Sequence, residues 1–439
     1  MSSVIIAGGG LAGLATAAAL GSAGYRVDLF ESRGFLGGRA TSYEAPGSGD
    51  TADPPEIIDN CQHVLLRCCV NLLDFYRRLG VAGDVRFFRE FVFIEPGGRA
   101  SVMRRGVLPA PAHFAGSFAG LKFLGMRDKL GIARAMLALR RERTTRTDLD
   151  QITMLDWLRE KRQTEQAIHR FWGQVLVSAI NEELGRMAAS HGFQVFWLGF
   201  LARPDSYEMG VPAVPLVKLY SPDAWEKIGK VKLHLRAPVE RLDVERGRVR
   251  CAIAGGVEHT ADFYVAAVPF ERLGALAPNA GLDIPALGHS PITGIHLWFD
   301  RSITDLPNAT LLDRTIQWMY NKSEGRYLQL VVSASRSLLD MPRQAVMSLA
   351  LRELVEFFPA VREATLVKAH VVKEVRATFS AAPGVEQLRP GTRTAVTNLF
   401  LAGDWTRSGW PATMEGAVRS GYLAAEAIAA RRFLLPDIA

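Results

Sequence analysis

The sequence predicts an α/β fold in which a parallel sheet is assembled from both ends of the chain and an α+β region, helix-rich with its own β-sheet, is interleaved between them. Three observations carry this. "VIIAGGGLAGLATAAALGSAGYRVDLFE" reads as strand, glycine turn, small-residue helix and second strand. "NLFLAGD", almost 400 residues later, is another strand entering another small-residue helix. Between them the apolar period changes from three-and-four to two.

Taken in order, Val4 to Ala7 is a short apolar strand, followed by a helix to about Ser22 and the strand "YRVDLFE". "EAPGSGDTADPPE" (44–56) reads as a flexible surface loop. From about 66 to 210 the chain is mostly helical in period: "NLLDFYRRLGV", "GMRDKLGIARAMLALRRER", "TMLDWLREKR" and "TEQAIHRFWGQVLVSAI". Residues 231 to 269 alternate in twos and predict a β-meander, with a turn at Arg246-Gly247. "ITGIHLWF", "TIQWMYN" and "YLQLVVSAS" add strands, "RQAVMSLALRELVEFF" a helix, and a last helix runs from about Met414 to Ala430. Residues 1–65, 215–285 and 390–439 are thus expected to form one discontinuous domain, and 66–214 with 286–389 a second.

The chain has 439 residues, 48% of them hydrophobic, enough to bury a large core. Lys and Arg outnumber Asp and Glu by 52 to 45, a balance of +7 that permits contact with phosphates or anionic lipid. The basic residues are spread along the chain and no base-reading motif accompanies them, so a nucleic-acid partner is not expected. Four cysteines, Cys61, Cys68, Cys69 and Cys251, are too few and too irregularly spaced for a disulfide framework or a zinc site. This points to a reducing compartment, the cytoplasm, and to no metal. The apolar N-terminus lacks the basic leading region of a signal peptide, and no apolar run is long enough to span a bilayer.

"GGGLAGL" places Gly8, Gly10 and Gly13 in G-x-G-x-x-G spacing between a strand and a helix, with Glu31 18 residues further on. Gly8 permits the tight turn, Gly10 lets the backbone approach a pyrophosphate, and Gly13 lets the helix pack on the sheet. Leu11 and Ala12 open the helix whose N-terminus faces the phosphates. Glu31 suits an adenosine ribose, and its charge disfavours NADP. The result is a Rossmann-like dinucleotide site. Two further segments favour FAD over NAD: "ESRGFLGGRA", with Ser32, Arg33, Gly37, Gly38, Arg39 and Ala40, and "LFLAGDWTRSGWPATMEGAVRSGYLAAE". The arginines offer guanidinium donors to a pyrophosphate, and the glycines allow close backbone approach. Gly403 ends a strand, Asp404 can accept from the ribityl chain, and Thr413, Met414 and Ala417 mark a helix start that would direct N–H groups at a flavin ring. Val239, within the meander, joins this cofactor set. There is no second G-x-G-x-x-G in strand context, so no NAD domain is expected and the electron donor is not indicated.

"IIDNCQHVLL" (57–66) sets Asp59, Asn60, Cys61, Gln62 and His63 between apolar runs. It admits three readings: a Cys/His nucleophilic pair, half of a metal site, or polar lining beside a cofactor. No hydrolase context and no ligand spacing accompany it.

The two chain ends together with the meander resemble the FAD-dependent amine oxidase and phytoene desaturase superfamily. Within it, "DNCQHVLLRCCVNLLDFYRRLGV", "LPAPAHF", "TMLDWLREKR" and "FWGQVLVSAIN" resemble the squalene-associated FAD-dependent desaturases, or hydroxysqualene dehydroxylases, over nearly the whole length. The resemblance implies that Asp59, Asn60, Gln62 and His63 lie beside the flavin and the pocket, with Cys61 standing where the family has glycine. It implies a C30 isoprenoid substrate, hydroxysqualene reduced to squalene in hopanoid synthesis by hydride delivered to an allylic cation, with Asp59 and His63 as candidate proton donor or cation stabiliser. The apolar pocket would draw on "FQVFWLGFLARP" and "IHLWF". "LKFLGMRDKLGIARAMLALRRER" (121–143) reads either as a basic amphipathic helix seated on the inner face of a membrane or as a core helix with solvated charges. A carotenoid-type desaturase, an amine oxidase and a non-catalytic flavin- or isoprenoid-binding protein are the alternatives.

Overall fold

A computed structural model describes residues 2–45 and 56–438. The loop expected at 44–56 lies largely outside these. One sheet is wholly parallel, with strands in the order Val231–His234, Arg26–Phe30, Ser3–Ala7, Phe263–Ala266 and Leu399–Leu401. Side chains alternate across it. Val4 and Ile6 point into a core shared with the helices Leu11–Ser22 and Met414–Ala429, whereas Ile5 and Ala7 point into one shared with the strands Val239–Glu245 and Arg248–Ala254. Near-continuous apolar strands are the expected result of burial on both faces.

The two helices touch backbone to backbone. A Cβ on Gly421 would sit 2.3 Å from the Ala12 carbonyl oxygen, and Thr16 Oγ1 donates to the carbonyls of Ala12 (2.9 Å) and Gly421 (3.1 Å).

The second sheet has seven strands in the order Leu366–Phe379, His289–Phe299, Tyr327–Ser333, Trp318–Ser323, Asn308–Leu311, Glu90–Ile94 and Ala100–Arg104. One face carries Ile295, Leu297, Leu328, Leu330 and Met319 against the helix Arg343–Phe357. The other presents Ile292, Trp318, Tyr320 and Val331 to a layer of helices. In that layer Thr153 and Thr164 cap the helices beginning at Met154 and Glu165 by accepting from the N–H groups of Asp156 and Ala167, each 3.1 Å away. Trp157, Trp172, Phe193 and Phe196 pack edge to face at its centre.

Three expectations change. The meander is three-stranded, Val239–Glu245, Arg248–Ala254 and Val257–His259, because the flanking segments Val231–His234 and Phe263–Ala266 join the parallel sheet. Its first turn is where expected, with Arg246 and Gly247 both at positive φ (51° and 74°). The stretch 66–210 is not uniformly helical: Val85–Phe88, Glu90–Ile94 and Ala100–Arg104 are strands, the last two joined through Gly97 and Gly98 at positive φ. The helix Met126–Glu142 has apolar residues on two faces. Ile132, Ala135 and Leu139 enter the core, while Met126, Leu130 and Leu137 are exposed.

Candidate active site

The glycines of the first turn and those at 37–38 meet. Gly37 N–H donates to the Gly9 carbonyl (2.9 Å), and a Cβ on Gly38 would lie 3.0 Å from Gly10 Cα. Gly13 packs so closely that a Cβ there would sit 2.0 Å from the Gly8 carbonyl oxygen. Glu31 accepts from Gly9 N–H (2.7 Å), Arg33 N–H (2.8 Å) and Ser32 Oγ (3.0 Å), so its carboxylate ties the first glycine turn to the segment that leads to the second. Ala40 N–H closes the second turn onto the Gly37 carbonyl (3.1 Å). Val239 begins its strand two residues after Ala237, whose N–H donates to the Glu31 carbonyl (2.9 Å).

The C-terminal segment closes on the same place. Arg39 ion-pairs with Asp404 and donates to the Ala377 carbonyl (2.9 Å), so this guanidinium, expected to reach a pyrophosphate, is largely spent joining the two chain ends. Arg33 remains exposed. Gly403 N–H donates to Ser420 Oγ (2.9 Å), and a Cβ at Gly403 would strike the Trp405 indole. Thr413 caps the terminal helix: its Oγ1 accepts from Gly416 N–H (3.0 Å) and its carbonyl from Ala417 N–H (3.0 Å). The N–H groups of Met414 and Glu415 have no helical partner. Asn60 is tied to the groove by donating to the Arg39 carbonyl (2.9 Å), while its Oδ1 is buried without a partner. Close backbone turns, an orphaned acceptor and an open helix N-terminus fit an extended dinucleotide.

Beside this groove lies a deep cavity. Its wall includes Cys61, Gln62, Thr413, Met414 and Glu415 together with apolar side chains of the helical layer and second sheet such as Phe91, Phe93, Leu198, Phe200, Trp318 and Tyr320.

The flavin containing amine oxidoreductase family matches residues 11–429. The chain belongs to that family. It is a FAD-dependent oxidoreductase, and FAD is its cofactor. It is 27% identical to a zeta-carotene desaturase from Synechocystis sp., over 98% of this chain and 97% of the relative. It is 26% identical to a 15-cis-phytoene desaturase from Synechococcus elongatus, over 98% and 96%. Its fold is like that of an oxidoreductase from Methanosarcina mazei (TM-score 0.73, 17% identity, 98% and 100% covered) and of cyclohexylamine oxidase from Brevibacterium oxydans (TM-score 0.68, 18% identity, 98% and 99% covered).

Within this flavoprotein the "DNCQH" residues divide. Cys61 and Gln62 line the cavity, whereas Asp59 and His63 do not. Asp59 is buried and accepts from Ser42 Oγ (2.7 Å), Leu216 N–H (2.9 Å) and, more loosely, Lys322 Nζ (3.4 Å). His63 turns Nδ1 to the Cys61 carbonyl (2.9 Å), not to its thiol, and burial lowers its pKa. Burial pushes the Cys61 thiol up to about 12, so it is neutral and no nucleophile. Gly294 makes room for it: a Cβ there would be 3.1 Å from the Asn60 carbonyl and 3.8 Å from Cys61 Sγ. The one cluster of potential metal ligands among the described residues, Asp243, Cys251 and Glu258, lies in the meander with Arg250 bonded to both carboxylates.

Three residues escape sequence reasoning. Arg389, only 1% exposed, donates through Nη2 to the carbonyls of Asp404 (3.0 Å), Thr406 and Trp410 (2.8 Å), fixing the approach to the terminal helix. Glu415 accepts from Asn71 Nδ2 (2.8 Å) and the N–H groups of Asn71 (3.2 Å) and Leu72 (2.7 Å), anchoring the helix Val70–Leu79, and burial raises its pKa to about 7. Lys322 bridges Gln62 Oε1 (3.0 Å) and Asp59 (3.4 Å). Glu415 and Lys322 depend on partners hundreds of residues away, and the local pair of Arg389 with Glu386 does not disclose its carbonyl partners, so only Glu415, inside "MEGA", had any local signal of a site.

Proposed function

We propose that this flavoenzyme acts on a long linear isoprenoid held in the cavity. The observation that carries the reading is a cavity lined mostly by Leu, Phe, Met, Val and Trp side chains whose wall includes Thr413, Met414 and Glu415 at the N-terminus of the terminal helix. Bound FAD supplies hydride acceptance or donation. The chain contributes a largely apolar cavity, neutral Cys61 in its wall with neutral His63 behind it, and the N–H groups of Met414 and Glu415, which lack helical partners and would favour negative charge on a bound flavin. The roles of Gly8, Gly10, Gly13, Glu31, Gly37, Gly38, Asn60, Asp404, Thr413 and Ala417 in holding the dinucleotide, with Arg39 positioning Asp404, are part of this proposal. Asp59 and His63 act one layer behind the cavity wall, as orienting groups.

Two directions of chemistry fit. Desaturation of a carotenoid-type polyene has the support of full-length similarity to carotene and phytoene desaturases. Reduction of hydroxysqualene to squalene has the support of the interior stretches "DNCQHVLLRCCVNLLDFYRRLGV" and "FWGQVLVSAIN". Anaerobic incubation of photoreduced protein with hydroxysqualene, and of oxidised protein with phytoene, separates them by product. Squalene from the first or a longer polyene from the second assigns the direction. Turnover of neither rejects the isoprenoid assignment.

The substrate dissolves in lipid, and the exposed stripe Met126, Leu130 and Leu137, flanked by exposed Arg127, Arg134, Arg140 and Arg141, suits peripheral contact with an anionic membrane. No helix among the described residues is long and apolar enough to cross one. Co-sedimentation with phosphatidylglycerol liposomes, absent with neutral ones, is the expected result.

A further inference from the structure

On the strand Trp318–Ser323 three large side chains alternate on the face turned toward the cavity: Trp318, Tyr320 and Lys322. The outer two have partners. Trp318 Nε1 donates to Ser178 Oγ (2.7 Å), and Lys322 Nζ donates to Gln62 Oε1 (3.0 Å). Tyr320 lies between them, 5% exposed, its ring 5.8 Å from that of Trp318, and it lines the cavity. No described residue forms a hydrogen bond with its hydroxyl. Cross-strand Gln329 does not reach it, since its Nε2 lies 3.5 Å from the Asp59 carbonyl and its Oε1 is itself sealed without a partner.

The hydroxyl opens onto the cavity, so filling that space with a pure hydrocarbon would strip it of water and leave it unpaired, at a cost. A wall meant for a pure hydrocarbon would be served better by phenylalanine. Burial also pushes the phenol far above its ordinary range, so the group stays protonated and can donate.

We infer that Tyr320 is a specificity-determining residue that donates a hydrogen bond to an oxygen carried by the substrate, so that the cavity selects an oxygen-bearing isoprenoid, an alcohol, over the matching hydrocarbon. This rests on the isoprenoid reading above and sharpens it. Sitting on the strand between Trp318 and Lys322, whose ammonium marks the Asp59–Gln62 end, Tyr320 would hold that oxygen toward the cofactor side of the cavity and leave the hydrocarbon arms to the Phe and Leu walls.

The test is equilibrium binding to the oxidised holoenzyme, read by tryptophan fluorescence and flavin absorbance, with squalene and hydroxysqualene as probes. Wild type is expected to bind the alcohol about tenfold more tightly than the hydrocarbon. Tyr320→Phe is expected to abolish that ratio by weakening the alcohol while leaving squalene within about twofold. Equal binding of both probes by wild type, or loss of both in the variant at unchanged FAD content, overturns the assignment to Tyr320 and leaves the isoprenoid reading standing. Binding of neither probe by wild type overturns both. Where Tyr320→Phe does not fold, Tyr320→Leu is read in the same way, and a tenfold preference that persists in either variant overturns the assignment.

Discussion

The cofactor groove and the cavity beside it are built from different material. In the groove the shape is made by backbone: a methyl group at Gly13 would meet the Gly8 carbonyl at 2.0 Å, and one at Gly37 the Ala40 carbonyl at 2.3 Å. In the cavity the shape is made by side chains from strands and helices scattered between residues 61 and 415. Backbone cannot retreat as a side chain can, so the groove should tolerate almost no change, while the cavity should respond by degrees. The difference suits one unchanging cofactor and a substrate that varies among relatives.

The sharpest way to break this contrast is Gly13→Val. It should cost about 4 kcal/mol or more and yield protein without flavin absorbance; a yellow, stable variant would remove the distinction. Next in size is Glu415, at the meeting of the two regions. Its pKa rises from 4.5 to about 7 on folding, so the folded state keeps a proton that the unfolded chain has released. Its contribution is complete below pH 4.5 and is lost as pH climbs through 7, by on the order of 3 kcal/mol. Denaturant unfolding across that window should show the decline, and Glu415→Gln should flatten it. Cys61→Gly, on the cavity wall, should cost about 1 kcal/mol and keep FAD; in the native wild type this thiol should resist iodoacetamide at pH 8. The smallest effect belongs to the outer stripe. Leu137→Glu should leave stability within about 0.5 kcal/mol and abolish liposome binding.

The groove was legible in the sequence because its physics is local. Gly8, Gly10, Gly13 and Glu31 lie within one strand–helix–strand unit, and their spacing is the geometry. The parallel sheet followed from the strand–helix–strand order at one end of the chain and the strand–helix pair at the other. The edge strands of the meander were misassigned because "VKLHL" alternates equally well whether its neighbour is an antiparallel hairpin or a parallel strand. The hairpin at 90–104 was missed inside a helical stretch although "EFVFIEPGG" carries the signal. Asp59 and His63 are candidates through the resemblance, and only the tertiary packing decides which polar neighbours of Cys61 reach the cavity. Arg389 and Tyr320 were invisible for the same reason: their meaning lies in partners, or in the lack of one, that no spacing records.

The helix at Met414–Ala429 lies directly against the helix at Leu11–Ser22, with Gly421 seated on the Ala12 carbonyl. During synthesis the fingerprint glycines therefore emerge first and wait for roughly 400 residues before their counterpart leaves the ribosome. A nascent chain halted before Leu399 would lack an edge strand and one wall of the nucleotide groove. On the proposed placement of the cofactor, flavin loading follows completion of the chain, and riboflavin-starved cells should accumulate chains whose opposite ends are readily cleaved apart.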